Sequence, residues 1–244
     1  MRQLPSVEAV KSNILRDPVV SVLNPQLIDQ NGLIDLASKV IDKDYHFHPI
    51  PASEVRKYNF DTINYFMQVS GIYTFPTTEL VDWLNDQIDE VYEDTVTPAI
   101  EIGCGNGWIG RSLEIPFSDA RVHENLKIKM TMESCGCNPI QYPDDVKTLD
   151  ASDAIRMYHP EYVIASYPVA KFIPGSDYGS IYGVDQQFIS THCHKYFFIG
   201  NKRVHSRDPL MKRKHQEIEL DGLITRGDTS QARIFIFENK QWMP

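Results

Sequence analysis

The chain contains 244 residues, of which 42% are hydrophobic and 23% are charged, proportions typical of a globular protein rather than of a disordered or fibrous one. Acidic residues outnumber basic residues by 33 to 24, which gives a net charge of −9 and disfavours undirected binding to nucleic acid or to anionic membranes. The four cysteines are too few for a disulfide-stabilised secreted domain. Because no apolar run approaches the roughly 18 residues of a membrane span, we predict a cytoplasmic protein with no membrane partner.

The N-terminal part of the chain has the periodicity of helices. Apolar residues three and four positions apart predict helices over 6–15, 27–41 and 52–69, with prolines between them. A fourth helix is predicted after Thr77 or Thr78, either of which has the side chain of an N-cap residue. We therefore predict that residues 1–97 form a helical cap and lid on the domain formed by residues 98–244.

From Pro98 onward, short apolar runs alternate with helical or loop segments. The runs cover 99–102, 162–165, 196–199 and 232–237. Short runs of Val, Ile, Phe and Tyr that are separated by long crossovers predict buried parallel strands. The last segment indicates a strand over 222–226, a turn over 227–230 and a strand over 231–238. The expected fold class is therefore α/β, with a mostly parallel sheet that ends in an antiparallel hairpin.

The most informative stretch runs from Ala99 to Gly110 and reads Ala-Ile-Glu-Ile-Gly-Cys-Gly-Asn-Gly-Trp-Ile-Gly. Near the end of its apolar strand lies a carboxylate, Glu101, and glycines at 103, 105 and 107 follow before a helix begins. Glycine is needed where the backbone takes a positive φ or where a ligand touches the main chain. Ligands of open parallel sheets bind at the carboxyl ends of the strands. We therefore predict a ligand site here, with a tight turn that binds nothing as the alternative.

Two kinds of ligand compete for this turn. Gly105-x-Gly107-x-x-Gly110 satisfies the dinucleotide pattern, in which a helix N-terminus holds a pyrophosphate. The turn begins earlier, however, at Gly103, and the Glu101 carboxylate is poorly placed for a pyrophosphate. A carboxylate at this position suits the ammonium group of a ligand. The pattern therefore favours an ammonium-bearing ligand over a nicotinamide dinucleotide.

The string Glu101-x-Gly103-x-Gly105-x-Gly107 resembles the first motif of class I S-adenosylmethionine-dependent methyltransferases. The resemblance implies a Rossmann-like, doubly wound, seven-stranded sheet with a terminal hairpin, and S-adenosylmethionine as the cofactor. It also implies that the cofactor is bound by Glu101 and the turn, and that Tyr73 in the cap closes over its methionine end. The turn residues concerned are Gly103, Cys104, Gly105, Asn106 and Gly107.

The resemblance extends to the later strands. An acid at the end of the second strand, here Asp119, would hold the ribose hydroxyls. An acid after the third strand would mark the adenine amine, and Asp150 fits best, with Asp144 as the alternative. After the fourth strand, amine-directed members carry an acid or Asn, two prolines and an aromatic residue, whereas this chain has Ser166-Tyr167-Pro168-Val169. That difference weakens a prediction of nucleobase amine methylation and leaves Ser166 and Tyr167 as candidates for the edge of the reaction site.

One basic segment stands apart from the acidic remainder. Between Lys195 and Lys214 there are seven Lys or Arg residues against one acid, Asp208. This segment indicates either a contact with a phosphate-bearing substrate, nucleic acid included, or a solvated loop. His205 lies in it and is a candidate base near pH 7.

Neither of the cysteine and histidine clusters has the spacing of a metal site. Cys135-Gly136-Cys137 has one residue between its thiols, fewer than paired zinc ligands have. His192-Cys193-His194 likewise lacks the spacing that paired zinc ligands have. We predict no bound metal.

Three functions remain open at this stage. The first is S-adenosylmethionine-dependent methyl transfer to a small-molecule, nucleotide or nucleic-acid acceptor, with Ser166, Tyr167 and His205 at the reaction site. The second is a methyltransferase-like protein that binds a nucleotide-type ligand without methyl transfer. The third is a nicotinamide-dependent oxidoreductase, which Glu101 disfavours.

Overall fold

The computed structural model of the chain describes residues 25–42, 46–88, 97–134, 139–174 and 178–243. The helix predicted over 6–15 and the cysteines at 135 and 137 lie outside these residues. Within them, no helix is long and apolar enough to cross a lipid bilayer.

Among the described residues, four α-helices precede the main sheet. They are α1 (Gln30–Val40), α2 (Ala52–Val55), α3 (Phe60–Val69) and α4 (Thr78–Ile88). The single helix predicted over 52–69 is wrong, because Asn59 accepts a hydrogen bond from the Thr62 amide (2.8 Å) and so starts a new helix. The N-cap predicted for α4 is confirmed at Thr77, whose hydroxyl accepts a hydrogen bond from the Leu80 amide (3.3 Å).

The strands form a seven-stranded sheet and a separate two-stranded sheet. In chain order they are β1 (Thr74–Phe75), β2 (Ala99–Ile102), β3 (Phe117–Asp119), β4 (Lys147–Thr148), β5 (Tyr162–Ser166), β6 (Lys195–Asn201), β7 (Gln216–Ile218), β8 (Ile224–Thr225) and β9 (Ala232–Glu238). The order across the large sheet is β4-β3-β2-β5-β6-β9-β7. All its pairs are parallel except those of β9, which is antiparallel to both of its neighbours. The four strands predicted from apolar runs are confirmed to within two residues at each end.

The predicted terminal hairpin is wrong in its pairing. Strand β8 pairs with β1, with Thr74 opposite Thr225, instead of with β9. The reason lies in the apolar side chains of this small sheet, because Phe75 and Ile224 are both buried in the core of the cap. The antiparallel partners of β9 are β6 and β7.

Helices cover both faces of the large sheet. The helices after β2 are α5 (Trp108–Ser112), α6 (Leu126–Ser134), α7 (Ala151–Tyr158) and α8 (Gln186–Ile189). Because successive strand residues point to opposite faces, Ile164 packs with Leu84 of α4 on one face, and Val163 packs with Ile155 of α7 on the other. The sheet is thus the middle of three layers.

A third apolar cluster joins the N-terminal helices to the glycine turn. It includes Leu36, Phe66 and Phe75 from the N-terminal segment and Trp108 from the start of α5. The Trp108 ring stacks on Phe47, with 4.4 Å between the ring centroids. The N-terminal helices therefore pack directly beside the turn that follows β2. The division into 1–97 and 98–244 stays a prediction.

Candidate functional site

A cleft of about 630 Å³ opens at the carboxyl ends of β2, β3 and β5. Strand β2 lies between the other two, so the chain leaves it in one direction for β3 and returns on its other side for β5. This reversal is the place where open α/β sheets bind ligands. The site residues predicted from the sequence that line the cleft are Tyr73, Glu101, Gly103, Cys104, Gly105, Asn106, Asp119, Asp150, Ser166, Tyr167 and His205.

The glycines of the turn have different neighbours. Gly103, Gly105 and Gly107 all have positive φ, at +58°, +58° and +75°. A Cβ on Gly103 would meet nothing within 4 Å, because this residue borders the open cleft. A Cβ on Gly107 would lie 2.9 Å from the Phe117 ring, and this glycine does not line the cleft. The Gly103 position thus leaves room for a ligand, whereas Gly107 serves the packing of the turn.

The first turn of α5 is capped by side chains of the chain itself. Glu101 accepts a hydrogen bond from the Gly110 amide (2.7 Å), and Asn106 accepts one from the Trp108 amide (3.3 Å). The Asn106 side chain also donates to the Ser70 carbonyl (2.9 Å), which ties the turn to the end of α3. Two of the amide donors that a helix N-terminus offers to an anion are therefore already used.

Two buried carboxylates hold the glycine turn. Glu101 is 2% exposed and Asp119 is 8% exposed. Asp119 accepts hydrogen bonds from the amides of Gly105 (2.9 Å) and Arg121 (2.7 Å). The nearby arginines pair elsewhere, Arg111 with Asp145 and Arg121 with Glu124. Within the described residues, no lysine or arginine forms an ion pair with Glu101 or with Asp119.

Burial makes both of these carboxyl groups weaker acids. It raises the pKa of Glu101 to about 8, against the opposing hydrogen bond from Gly110, and the negative charge of Asp119 raises it further. Burial also raises the pKa of Asp119, although its two amide donors oppose that change. The ionised forms of both carboxyl groups are therefore disfavoured here, and a positively charged ligand would stabilise those ionised forms.

The pKa of Glu101 predicts a pH-dependent stability. Because this pKa rises from its ordinary value of 4.5 to about 8, the folded protein keeps a proton that the unfolded chain releases. The resulting stabilisation is complete below pH 4.5 and is lost as the pH rises through about 8. We expect the free energy of unfolding, measured in urea, to fall over this range more steeply for the natural protein than for Glu101→Gln. Equal slopes would contradict the burial of an ionisable Glu101.

The acid predicted after the third strand lies at the N-terminus of α7. The Asp150 side chain accepts hydrogen bonds from the amides of Ser152 (2.8 Å) and Asp153 (3.0 Å) and borders the cleft. The alternative acid, Asp144, is exposed and does not line the cleft. Of the two candidates, only Asp150 is therefore placed to contact a ligand there.

The end of β5 and the residue after it contact the cap. The hydroxyls of Ser166 and Thr74 are hydrogen-bonded at 2.7 Å. Tyr167 has a φ of +51°, a conformation that large side chains seldom adopt and that occurs most often at functional sites. Its ring stacks on Tyr73, with centroids 5.4 Å apart, and the Arg226 guanidinium lies 4.1 Å from the centroid of Tyr73. These contacts bring the cap and the sheet together at one wall of the cleft.

His205, the predicted base, lines the cleft and is buried there, which disfavours its protonated form. It is 3% exposed, and burial lowers its pKa to about 4. The Asn201 amide donates to its Nδ1 (3.0 Å). Burial similarly raises the pKa of the Tyr167 hydroxyl to about 12. Neither side chain therefore changes its protonation state near pH 7.

Other parts of the cleft wall gave no sequence signal. On the side of β3 they include Tyr142, whose hydroxyl contacts Asp119, and His123, whose Nδ1 accepts a hydrogen bond from the Ile140 amide (3.1 Å). On the side of β5 they come from the segment after Pro168. These residues lie on loops without apolar periodicity, so only the fold brings them to the site.

Two cations of the basic segment are engaged in local contacts. Lys202 forms an ion pair with Glu217 (2.7 Å), and Arg213 donates to the Ser190 hydroxyl (2.5 Å). Asp208 is buried, where it caps a short 3₁₀ turn. Within the described residues, no group of three or more His, Cys, Asp or Glu side chains is placed to hold a metal ion.

The cleft is predominantly acidic. Its lining includes four carboxylates, at positions 101, 119, 150 and 185, against one lysine, Lys171. No protein-family model matches the chain, and a search of the curated proteins finds no relative. Its function is therefore inferred from the chemistry of this cleft.

Proposed function

We propose that the protein is an S-adenosylmethionine-dependent methyltransferase of the cytoplasm. The observation that carries this proposal is the pair of buried carboxylates, Glu101 and Asp119, at the ends of adjacent strands around an open glycine turn. In their ionised forms these carboxylates would pair with a positively charged ligand, and their oxygens would accept hydrogen bonds from its hydroxyl groups. S-adenosylmethionine has a sulfonium, an ammonium and two ribose hydroxyls, so it matches both requirements.

The architecture supports the same proposal. The resemblance in the glycine motif implies a doubly wound sheet of seven strands, and the large sheet has seven strands with helical layers on both faces. The last strand, β9, runs against the others. The motif lies at the reversal of strand order, where such a sheet binds its ligand.

A nicotinamide dinucleotide fits the cleft less well. Its pyrophosphate needs free amides at the N-terminus of α5, but Glu101 and Asn106 already cap two of them. The buried carboxylates would also repel two negative phosphates. The oxidoreductase function is therefore the weakest of the three.

In methyl transfer, the protein would mainly position the acceptor and would not transfer protons. When bound, S-adenosylmethionine supplies an electrophilic methyl group. The wall formed by Ser166, Tyr167 and Tyr73 would hold an acceptor in line with it, and such alignment is a major part of catalysis in bimolecular reactions. Because neither Tyr167 nor His205 titrates near pH 7, this wall suits an acceptor that is nucleophilic without prior loss of a proton.

A second candidate is ligand binding without methyl transfer. Two features of the same wall favour this candidate. The Ser166 hydroxyl is already hydrogen-bonded to Thr74. In addition, neither Tyr167 nor His205 acts as a base near neutral pH. In that case the cleft would still bind a nucleotide-type ligand.

Calorimetric titration with S-adenosylhomocysteine and with NAD tests the proposal. We expect binding of the first and none of the second. Binding of NAD alone would overturn the proposal in favour of the oxidoreductase. If S-adenosylhomocysteine binds, incubation with S-adenosylmethionine and a metabolite extract separates the remaining functions, because only a methyltransferase converts the cofactor to S-adenosylhomocysteine.

Nucleic acid is a less favoured acceptor than a small molecule or a nucleotide. Among the exposed cations of the basic segment, Arg203, Lys212 and Lys214 form no ion pair within the described residues. Reversing these three charges to Glu is expected to leave S-adenosylhomocysteine affinity unchanged, because the glycine turn is a separate element. Binding of single-stranded or duplex DNA or RNA is expected to be weak. Tight binding would contradict this expectation. In that case, the log binding constant should fall with log salt concentration, with a slope of roughly −0.7 to −0.9 per phosphate contacted, and the triple variant should lose this dependence.

A further inference from the structure

The side of the cleft that follows β5 is apolar and exposed. Val169, Ile181 and Tyr182 line it and are 52%, 73% and 49% exposed. Phe172 and Ile173, in the same segment, are also exposed. Large apolar side chains grouped at the mouth of a cleft indicate a surface that a ligand covers.

Tyr182 offers an aromatic face to that ligand. Within the described residues, its ring stacks on no other aromatic side chain and its hydroxyl forms no hydrogen bond. Two other tyrosines of the wall are already engaged, since Tyr73 contacts both Tyr167 and Arg226, and Tyr167 also contacts His205 with centroids 5.2 Å apart. Tyr182 is therefore available for stacking on a planar group.

Among the described residues, the one lysine or arginine of the lining lies on the same side. Lys171 borders the cleft and forms no ion pair within the described residues. The carboxylate of this side, Asp185, accepts a hydrogen bond from the Phe188 amide (3.0 Å) and caps α8. The cleft thus combines acidic groups around the glycine turn with a lysine beside an apolar surface. Lys171 therefore offers a cation to an acidic group of the ligand on this side, whereas the side of the glycine turn offers only carboxylates.

We propose that this side of the cleft binds an aromatic ring bearing an acidic group, stacked on Tyr182 and paired through its acid with Lys171. The inference rests on the proposed function, because it makes this ligand the methyl acceptor. Two sources have the required chemistry, a nucleotide with its base and phosphate and an aromatic carboxylic acid.

The methyl transfer needs no base from the protein. A lone pair on a heteroatom of the acceptor forms the new bond to the methyl carbon, and the carbon–sulfur bond breaks with its electron pair remaining on sulfur. The sulfonium becomes the neutral thioether of S-adenosylhomocysteine. Any proton that the acceptor heteroatom then carries passes to water.

Binding to the protein saturated with S-adenosylhomocysteine tests the proposal with two matched pairs of probes. One pair is adenosine 5′-monophosphate and adenosine, and the other is benzoate and benzamide. In at least one pair, we expect the acidic member to bind at least about fivefold more tightly than the neutral one. Preference in the first pair identifies a nucleotide-type acceptor, and preference in the second identifies an aromatic carboxylic acid.

Two variants locate the binding. Lys171→Gln should reduce the affinity for the acidic member to that for its neutral partner, and Tyr182→Ala should weaken both members by about tenfold. The matched controls, Lys212→Gln and Phe60→Ala, change an exposed lysine and an exposed aromatic residue outside the cleft lining and should change neither affinity.

The outcomes separate this proposal from the proposed function. If S-adenosylhomocysteine binds but none of the four probes does, the acceptor proposal is overturned while the proposed function stands. It is also overturned if the acidic and neutral members bind equally, or if the two cleft variants bind like their controls. If S-adenosylhomocysteine itself does not bind, the proposed function fails first.

Discussion

Replacing Glu101 with glutamine is expected to weaken S-adenosylhomocysteine binding by roughly 10- to 100-fold. The amide oxygen of glutamine can still accept the hydrogen bond from Gly110, so the start of α5 keeps its cap. What the variant loses is the negative charge that would face the ligand's ammonium group. Hydrogen bonds to charged groups contribute about 1.5–3 kcal/mol, and each 1.4 kcal/mol is about a factor of ten in affinity.

Calorimetry near the pKa of Glu101 or above it makes this test clearest, because the carboxylate is then ionised in the natural protein. Glu161→Gln is the matched control. Glu161 is also 2% exposed, but it lies just before β5, at the opposite end of that strand from the cleft, and contacts His194 (3.2 Å). Its variant should bind S-adenosylhomocysteine normally. An unchanged affinity in a folded Glu101→Gln variant would exclude Glu101 from the ligand site.

The strands that could be predicted from the sequence are those buried on both faces. Tyr162–Ser166 and Ala232–Glu238 consist largely of apolar residues because helices cover each side of them. Gln216–Ile218 could not be found in this way, since it is an edge strand with two exposed polar residues. The pairing of β8 with β1 could not be predicted from the sequence either, because it depends on apolar contacts with a segment some 150 positions away in the chain.

The glycine motif located the cleft because its requirements are local. The motif needs a positive φ at Gly103 and Gly105 and a carboxylate in the strand just before them, and these residues are neighbours in the sequence. The protonation state of His205, in contrast, depends on tertiary contacts. Its low pKa follows from burial beside the rings of Tyr167, which follows β5, and of Phe198 in β6. The roles predicted for these residues in binding and catalysis stay predictions.

Substituting Gly103 with asparagine is expected to weaken S-adenosylhomocysteine binding by at least about 100-fold, or about 2.7 kcal/mol. The position has a φ of +58°, which asparagine adopts more readily than most residues. Its side chain would enter the open cleft, where a Cβ meets nothing within 4 Å. The protein should therefore fold, and only the space for the ligand should be lost.

A matched pair of alanine variants separates backbone strain from loss of ligand space. Gly103 and Gly105 share a φ of +58°, so Gly103→Ala and Gly105→Ala should each lower the free energy of unfolding by a similar amount, about 1–2 kcal/mol. The new methyl group at Gly105 would make an ordinary contact with Ile140 (3.5 Å), whereas the one at Gly103 would occupy the cleft. We therefore expect Gly103→Ala to bind S-adenosylhomocysteine at least about tenfold more weakly than Gly105→Ala, as measured by calorimetry. Equal losses of affinity in the two variants would mean that strain in the turn, rather than the open space beside Gly103, controls binding.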